Sequence, residues 1–116
     1  MTPFGLTFIY APVAALEPTL AFYRDVLGWD EAWREGEEAV AFRVPDSPVQ
    51  VMVSLDELDE KPGAMYRVDD LVAFLADHPT LVITTPPREI PGGNVVAVDD
   101  GGGNTVYFFD FVDDAA

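Results

Sequence analysis

The chain has 116 residues, with 21 Asp or Glu against six Lys or Arg, which gives a formal net charge of −15 with its one histidine neutral. This charge argues against nucleic-acid binding and against docking on an anionic membrane, because both need clustered basic side chains. The sequence contains no cysteine, which excludes disulfides, thiolate zinc sites and cysteine nucleophiles. It also lacks an apolar run long enough to span a membrane and a basic signal-peptide start, so we expect a cytoplasmic protein.

The acidic residues are spread over the whole sequence and are not collected in one tail. Dispersed like charge destabilises a compact state by self-repulsion, and molar salt removes most of that cost because the Debye length shrinks to about 3 Å. The pattern therefore favours a halophilic protein, and the alternative is an acidic face that attracts a cationic ligand. The hydrophobic fraction of 49% is ample for the core of one domain.

The first half of the sequence predicts the element order β-α-β-β-β. Residues 4–12 carry alternating aromatic side chains, typical of a strand, and apolar residues at helical spacing predict a helix over 17–27. Gly28 follows this helix, where a left-handed cap is expected. A strand pair over 29–44 and a strand at 49–53 with alternating valines complete this half.

The second half repeats this order after a polar connector, 56–63. A strand at 64–68 leads to a short helix that begins after Asp69 or Asp70 and ends at Pro79. Turn residues, among them the pair Pro86-Pro87, separate three further strands, predicted at 81–85, 94–98 and 105–111. The repeated order suggests two equivalent modules.

Residues 8–29, FIYAPVAALEPTLAFYRDVLGW, resemble the opening of a vicinal oxygen chelate domain, of the glyoxalase/bleomycin-resistance/dioxygenase superfamily. The resembling features are a strand, a helix carrying Phe22-Tyr23, and then Leu27-Gly28. The second module supplies a matching entry at 66–71, and the turn at 100–104 is similar to the family's Asp-Pro-Asp-Gly-Asn.

The resemblance implies an α+β fold with paired βαβββ modules, whose strands form a curled mixed sheet around a cleft with the helices outside. Module one covers about 4–55, connector 56–63 follows, and module two covers 64–112, all within a single domain, 1–116. A homodimer is also expected from the resemblance.

Enzymes of this family hold a divalent metal in the cleft, on His, Glu or Gln. The resemblance places the ligand positions on Phe8, Gly63 and Tyr107, where the family's usual His or Glu is absent, and among the first-module candidates only Gln50 could ligate. His78, the one histidine, ends the second helix, where the helix dipole favours a solvated histidine over a metal ligand. We therefore predict no metal, no cofactor and no catalytic residue.

Strand alternation, with the family supplying which face is which, predicts a cleft lined by aromatic and Met side chains with a few polar groups. The predicted ligand-binding residues are Phe8, Tyr10, Gln50, Met52, Ser54, Met65, Arg67, Tyr107 and Phe109. Alternatively, the aromatic side chains fill the groove themselves or pack a homodimer. Arg67 would hold a ligand carboxylate or form an internal salt bridge.

Three functions agree with these features. The first is a metal-free, non-catalytic protein that resembles bleomycin-resistance proteins and binds a small, partly aromatic molecule. The second is a metal-dependent lyase, isomerase or dioxygenase of the same superfamily with an atypical metal site. The third is a regulatory or structural partner without a ligand, whose own side chains fill the groove.

Overall fold

The structure, a computed structural model, describes residues 5–55, 60–90 and 92–111. The chain divides into two compact units, of which the first is Thr7–Pro62 and the second includes the chain from Gly63 onward. Residues 56–59 of the predicted connector lie outside the described residues, as do Phe4 and the end of module two at residue 112. In the described part of the chain, no helix is long and apolar enough to cross a membrane.

The first unit has the predicted order β-α-β-β-β. Its elements are β1 (Gly5–Val13, within this unit from Thr7), α1 (Leu16–Leu20), which continues as a π-helical segment (Ala21–Val26), β2 (Glu31–Glu35), β3 (Ala39–Arg43) and β4 (Gln50–Leu55). The strand order is β2-β3-β4-β1, with β4 parallel to β1 and antiparallel to β3. Gly28 follows the helix with a φ of 73°, as predicted for a left-handed cap.

The helical segment covers one face of this unit's sheet. Val51 and Val53 pack with Leu20 in a buried cluster, which confirms that the valines of β4 face the helix. The predicted continuous helix changes to wider π turns, in which the Leu27 amide donates to the Phe22 carbonyl at 3.0 Å. Tyr23 in this segment lies 5.4 Å from the ring centroids of both Trp29 and Phe42, so the wider turns accompany an aromatic stack.

The second unit repeats the order of elements. They are β5 (Gly63–Arg67), α2 (Leu71–Asp77), β6 (Val82–Ile90), β7 (Gly93–Asp99) and β8 (Thr105–Phe111), with strand order β5-β8-β7-β6 and β5 parallel to β8. Asp70 is the cap of α2, because its carboxylate accepts from the Ala73 amide at 3.1 Å. Phe74 and Val96 belong to the buried cluster beneath α2, against which Phe108 packs.

Strand β6 is longer than predicted, since it runs through Pro86-Pro87 to Ile90. The sequence predicts that this strand ends at Thr85, because proline has no backbone N–H to donate to a neighbouring strand. That predicted boundary is wrong. β6 pairs only with β7 within this unit, and the register shifts between Thr85 and Arg88. An edge strand with an irregular register tolerates proline because it leaves backbone donors unpaired there.

Asp110 on β8 joins three elements of the second unit. Its side chain is 2% exposed and accepts from the Leu71 amide at 2.8 Å and from the Asn94 amide at 2.9 Å. Leu71 begins α2 and Asn94 lies near the start of β7. The carboxylate therefore ties the helix N-terminus and β7 to the strand that carries Tyr107 and Phe109.

Candidate functional site

Each unit has an open face, defined here as the face of its sheet turned away from its helix. In the first unit Val51 and Val53 face the helix, so the alternate residues of β4 point to the open face. Register places Phe8 beside Gln50 and Tyr10 beside Met52 on the same face. The predicted site residues that share this face are Phe8, Tyr10, Gln50, Met52 and Ser54.

The open face of the first unit has a buried aromatic floor and a half-buried polar rim. Phe8 and Tyr10 are 7% and 5% exposed, whereas Gln50, Met52 and Ser54 are half-buried. The Tyr10 hydroxyl donates to the Glu60 carboxylate at 3.2 Å, which satisfies its polar end. Gln50, Met52 and Ser54 are therefore the β4 side chains that a molecule on this face can reach.

Trp33 also reaches this open face, although strand alternation places it on the other one. Glu31 pairs with Phe42 on the helix side, but Trp33 pairs with Ala41, so β2 carries one extra residue between them. This β-bulge moves Trp33 to the face opposite that of Glu31. The Arg43 guanidinium donates to the Glu31 carbonyl at 2.9 Å and so holds the strand at the bulge.

The Trp33 indole orders the polar rim. Its Nε1–H donates to Gln50 Oε1 at 3.0 Å, and its ring meets the Phe8 ring edge-on at a centroid distance of 5.9 Å. Sequence reasoning missed Trp33, Arg43 and Glu60, because a bulge and a contact across the sheet leave no periodic signal in the sequence.

Four predicted site residues lie on the open face of the second unit. Register pairs Met65 with Tyr107 and Arg67 with Phe109, while the alternate residues Tyr66 and Phe108 stack on the helix side. Met65, Tyr107 and Phe109 are at most 5% exposed, and Arg67 is half-buried. The Arg67 guanidinium lies 5.1 Å from the centroid of the Phe111 ring, a cation–π contact.

The donors at the family's metal positions do not fit a divalent metal. Phe8 and Tyr107 are buried aromatic residues, and a Cβ built on Gly63 would overlap the carbonyl oxygen of Thr105. Gln50 Oε1 already accepts a hydrogen bond from the Trp33 indole. Across residues 5–55, 60–90 and 92–111, no three His, Asp or Glu side chains come together in a group that could hold a metal ion.

His78 and Asp100, two further titratable residues, take part in local contacts of a helix end and a turn. His78 is the exposed C-cap of α2, where its Nδ1 lies 2.8 Å from the Phe74 carbonyl and its ring 4.4 Å from the Phe74 ring. In the turn before β8, the Gly102 amide and the side-chain and backbone N–H groups of Asn104 lower the pKa of Asp100. This Asp is a turn residue, as predicted.

A separate groove of about 360 Å³ lies on the helix side of the second unit. Leu81, Val82 and Phe108 line its apolar part, and Asp99 and Asp100 are also among its lining residues. The carboxylates of both Asp residues accept amide hydrogens of the glycine turn. The groove contains none of the predicted ligand-binding residues.

Three solved structures illustrate the similarity in fold. An NAD-dependent benzaldehyde dehydrogenase from Legionella pneumophila matches with a TM-score of 0.70 and 12% identity, over 90% of this chain and 97% of that one. A superfamily member from Vibrio splendidus 12B01 matches with a TM-score of 0.61 and 14% identity, over 95% and 98% of the two chains. Methylmalonyl-CoA epimerase from Mycobacterium tuberculosis has 26% identity and a TM-score of 0.57, over 91% of this chain and 87% of that one.

No protein of curated function matches the sequence. The model of one family, in contrast, matches residues 5–108, which contain both βαβββ units apart from the last residues of β8. With this match the α+β fold and the two predicted βαβββ units are confirmed. The chain belongs to the Glyoxalase/Bleomycin resistance protein/Dioxygenase superfamily.

Proposed function

We propose that this protein binds a small molecule without a metal. The molecule binds on the open face of the first unit. The observation that carries the proposal is the half-buried Gln50 amide, ordered by Trp33 and flanked by Met52 above the aromatic floor of Phe8 and Tyr10. Small-molecule sites combine apolar walls with a few placed polar groups in this way.

The open face of the second unit supports the same function. Arg67 is half-buried beside Phe109 and Phe111, and a guanidinium in an apolar setting suits a ligand carboxylate. This role of Arg67 stays a prediction, as do the internal salt bridge weighed against it, the homodimer, the cytoplasmic location and the salt-rich environment.

The second candidate is a metal-dependent lyase, isomerase or dioxygenase of the superfamily. The 26% identity with a methylmalonyl-CoA epimerase favours an isomerase among these. The donor set argues against it: Phe8 and Gly63 offer no side-chain donor, Tyr107 is fully buried, and the Gln50 oxygen already accepts a hydrogen bond. Transition and hard divalent metals need several converging donors.

Metal analysis and thermal shift together test the proposal. The protein is purified without chelator, and its content of Ni, Zn, Fe and Mn is measured. Its melting temperature is then recorded with a library of small aromatic compounds, both without and with EDTA. We expect far less than one metal per chain and a rise in melting temperature with some compounds, because binding to the folded state stabilises it. One tightly held metal per chain, or stabilisation that EDTA abolishes, would overturn the proposal.

A further inference from the structure

We infer that Gln50 is the hydrogen-bond donor that selects the ligand and that Trp33 is the positioning residue that sets its orientation. The ligand class is an aromatic molecule carrying an accepting oxygen, either a carbonyl or a carboxylate. This inference rests on the proposed function and specifies the chemistry of the same face.

The orientation of the Gln50 amide follows from the chemistry of its partner. An indole N–H is a donor only, so the amide atom 3.0 Å from Trp33 Nε1 is the oxygen of Gln50. The Gln50 Nε2 group then points away with its two N–H donors, and it has no hydrogen-bond partner among residues 5–55, 60–90 and 92–111. Because no buried side-chain nitrogen or oxygen of these residues lacks a partner, this Nε2 group is accessible to solvent.

The bulge in β2 creates this arrangement. Without it, Trp33 would lie on the helix side with Glu31 and could not reach Gln50. Bulges often re-aim a side chain beside a functional site. Here the bulge directs the indole against both the Phe8 ring and the Gln50 oxygen.

Arg43 adds a second donor to the same rim. It pairs directly with Gln50 across β3 and β4, so both side chains point to the open face, and Arg43 is exposed. One of its nitrogens donates to the Glu31 carbonyl, and the guanidinium makes no other hydrogen bond to the residues that the structure describes, so it keeps further donors. Adjacent amide and guanidinium donors recognise accepting oxygens and disfavour a cation. This local chemistry opposes the cationic ligand that the net charge of −15 suggests.

Three probes of similar size separate the ligand classes. Acetophenone carries a neutral acceptor, benzoate an anionic acceptor and benzylammonium a cationic donor. Each is titrated into ¹⁵N-labelled protein, and the indole N–H signal of Trp33 and the backbone amide signal of Met52 are followed. The Trp33→Phe variant assigns the indole signal, because Trp29 is the other tryptophan.

Gln50→Glu is the matched variant, because it keeps the size and the acceptor for Trp33 but removes the donors. We expect acetophenone or benzoate to bind the wild type more tightly than benzylammonium does. Gln50→Glu should weaken acetophenone binding about threefold to tenfold, the equivalent of one neutral hydrogen bond. It should weaken benzoate binding further through charge repulsion and strengthen benzylammonium binding. The preference between acetophenone and benzoate reports how much Arg43 contributes.

Trp33→Phe should lower the preference for the acceptor probe over benzylammonium, since the amide is then free to turn its oxygen outward. A purely structural role of Trp33 would weaken all three probes alike. Equal binding of acetophenone to the wild type and to Gln50→Glu overturns this inference while the proposed function stands. So does wild-type protein that binds benzylammonium more tightly than acetophenone and benzoate. Absence of shifts at Met52 with all three probes overturns both.

Discussion

Replacing Asp110 tests how the second unit holds its helix and strands together. The Asp110 carboxylate accepts two backbone amides, those of Leu71 at 2.8 Å and Asn94 at 2.9 Å, and its side chain is 2% exposed. Asp110→Asn preserves the shape but replaces one accepting oxygen with an NH₂ group. That group then faces an amide donor, which it cannot satisfy.

The expected loss of stability follows from these two contacts. A hydrogen bond to a charged group contributes about 1.5–3 kcal/mol, so Asp110→Asn should lower the free energy of unfolding by about 2–3 kcal/mol. Asp110→Ala leaves both amides without their acceptor and should cost about 3–5 kcal/mol. For a chain of this length, the Asn variant should melt on the order of 10 °C lower.

Asp77→Asn is the matched control, because it removes the same charge from an exposed position of α2. Both variants relieve the same self-repulsion of an acidic chain, so the difference between them reports the buried contacts. We expect the control to change stability by less than about 0.5 kcal/mol. Urea unfolding gives the difference, and amide hydrogen exchange at Leu71 and Asn94 localises it. If Asp110→Asn unfolds with the stability of the control, the reasoning is refuted.

Three further predictions concern charge, titration and packing. The melting temperature should rise in molar KCl, because salt screens repulsion within a chain of net charge −15, and an unchanged or lower value would contradict the halophilic interpretation. Asp100 should titrate by NMR with a pKa below the usual 3.8, and Asn104→Ala should raise this pKa. The contribution of Asp100 to stability is present above its unfolded-state pKa and is lost as the pH falls through the lower folded-state value. Gly63→Ala should destabilise the chain by about 1–3 kcal/mol, because the added methyl group overlaps the backbone of Thr105, and a wild-type urea midpoint would count against that contact.

The order of elements and the faces of the strands could be predicted because both depend on local patterns. Alternation in β4 places Val51 and Val53 against the helix and Gln50 opposite them, as observed. Caps and breakers also act locally, so Asp70 begins α2 and Gly28 adopts a positive φ as predicted. These signals need no knowledge of distant contacts.

The parts of the candidate site that were missed depend on contacts between strands. One extra residue in β2 reverses the face of Trp33, and no residue type in that stretch marks the bulge. The Tyr10–Glu60 bond joins residues 50 positions apart. The wrong end of β6 has the same origin, because Pro86 and Pro87 are compatible with a strand only where an edge leaves donors unpaired.

The most direct test of metal-free binding on the first unit uses the methyl signals of Met52 and Met65. Met52 lies on the open face of that unit and Met65 on the open face of the second, so the two methyl groups report on the two faces separately. Acetophenone and benzoate are titrated into methyl-labelled protein in EDTA, and the titration is repeated with added Zn²⁺ or Ni²⁺ and no chelator. We predict a saturable shift of the Met52 methyl signal in EDTA that added metal leaves unchanged. A Met52 signal that stays fixed in EDTA and moves only when metal is present would contradict the account.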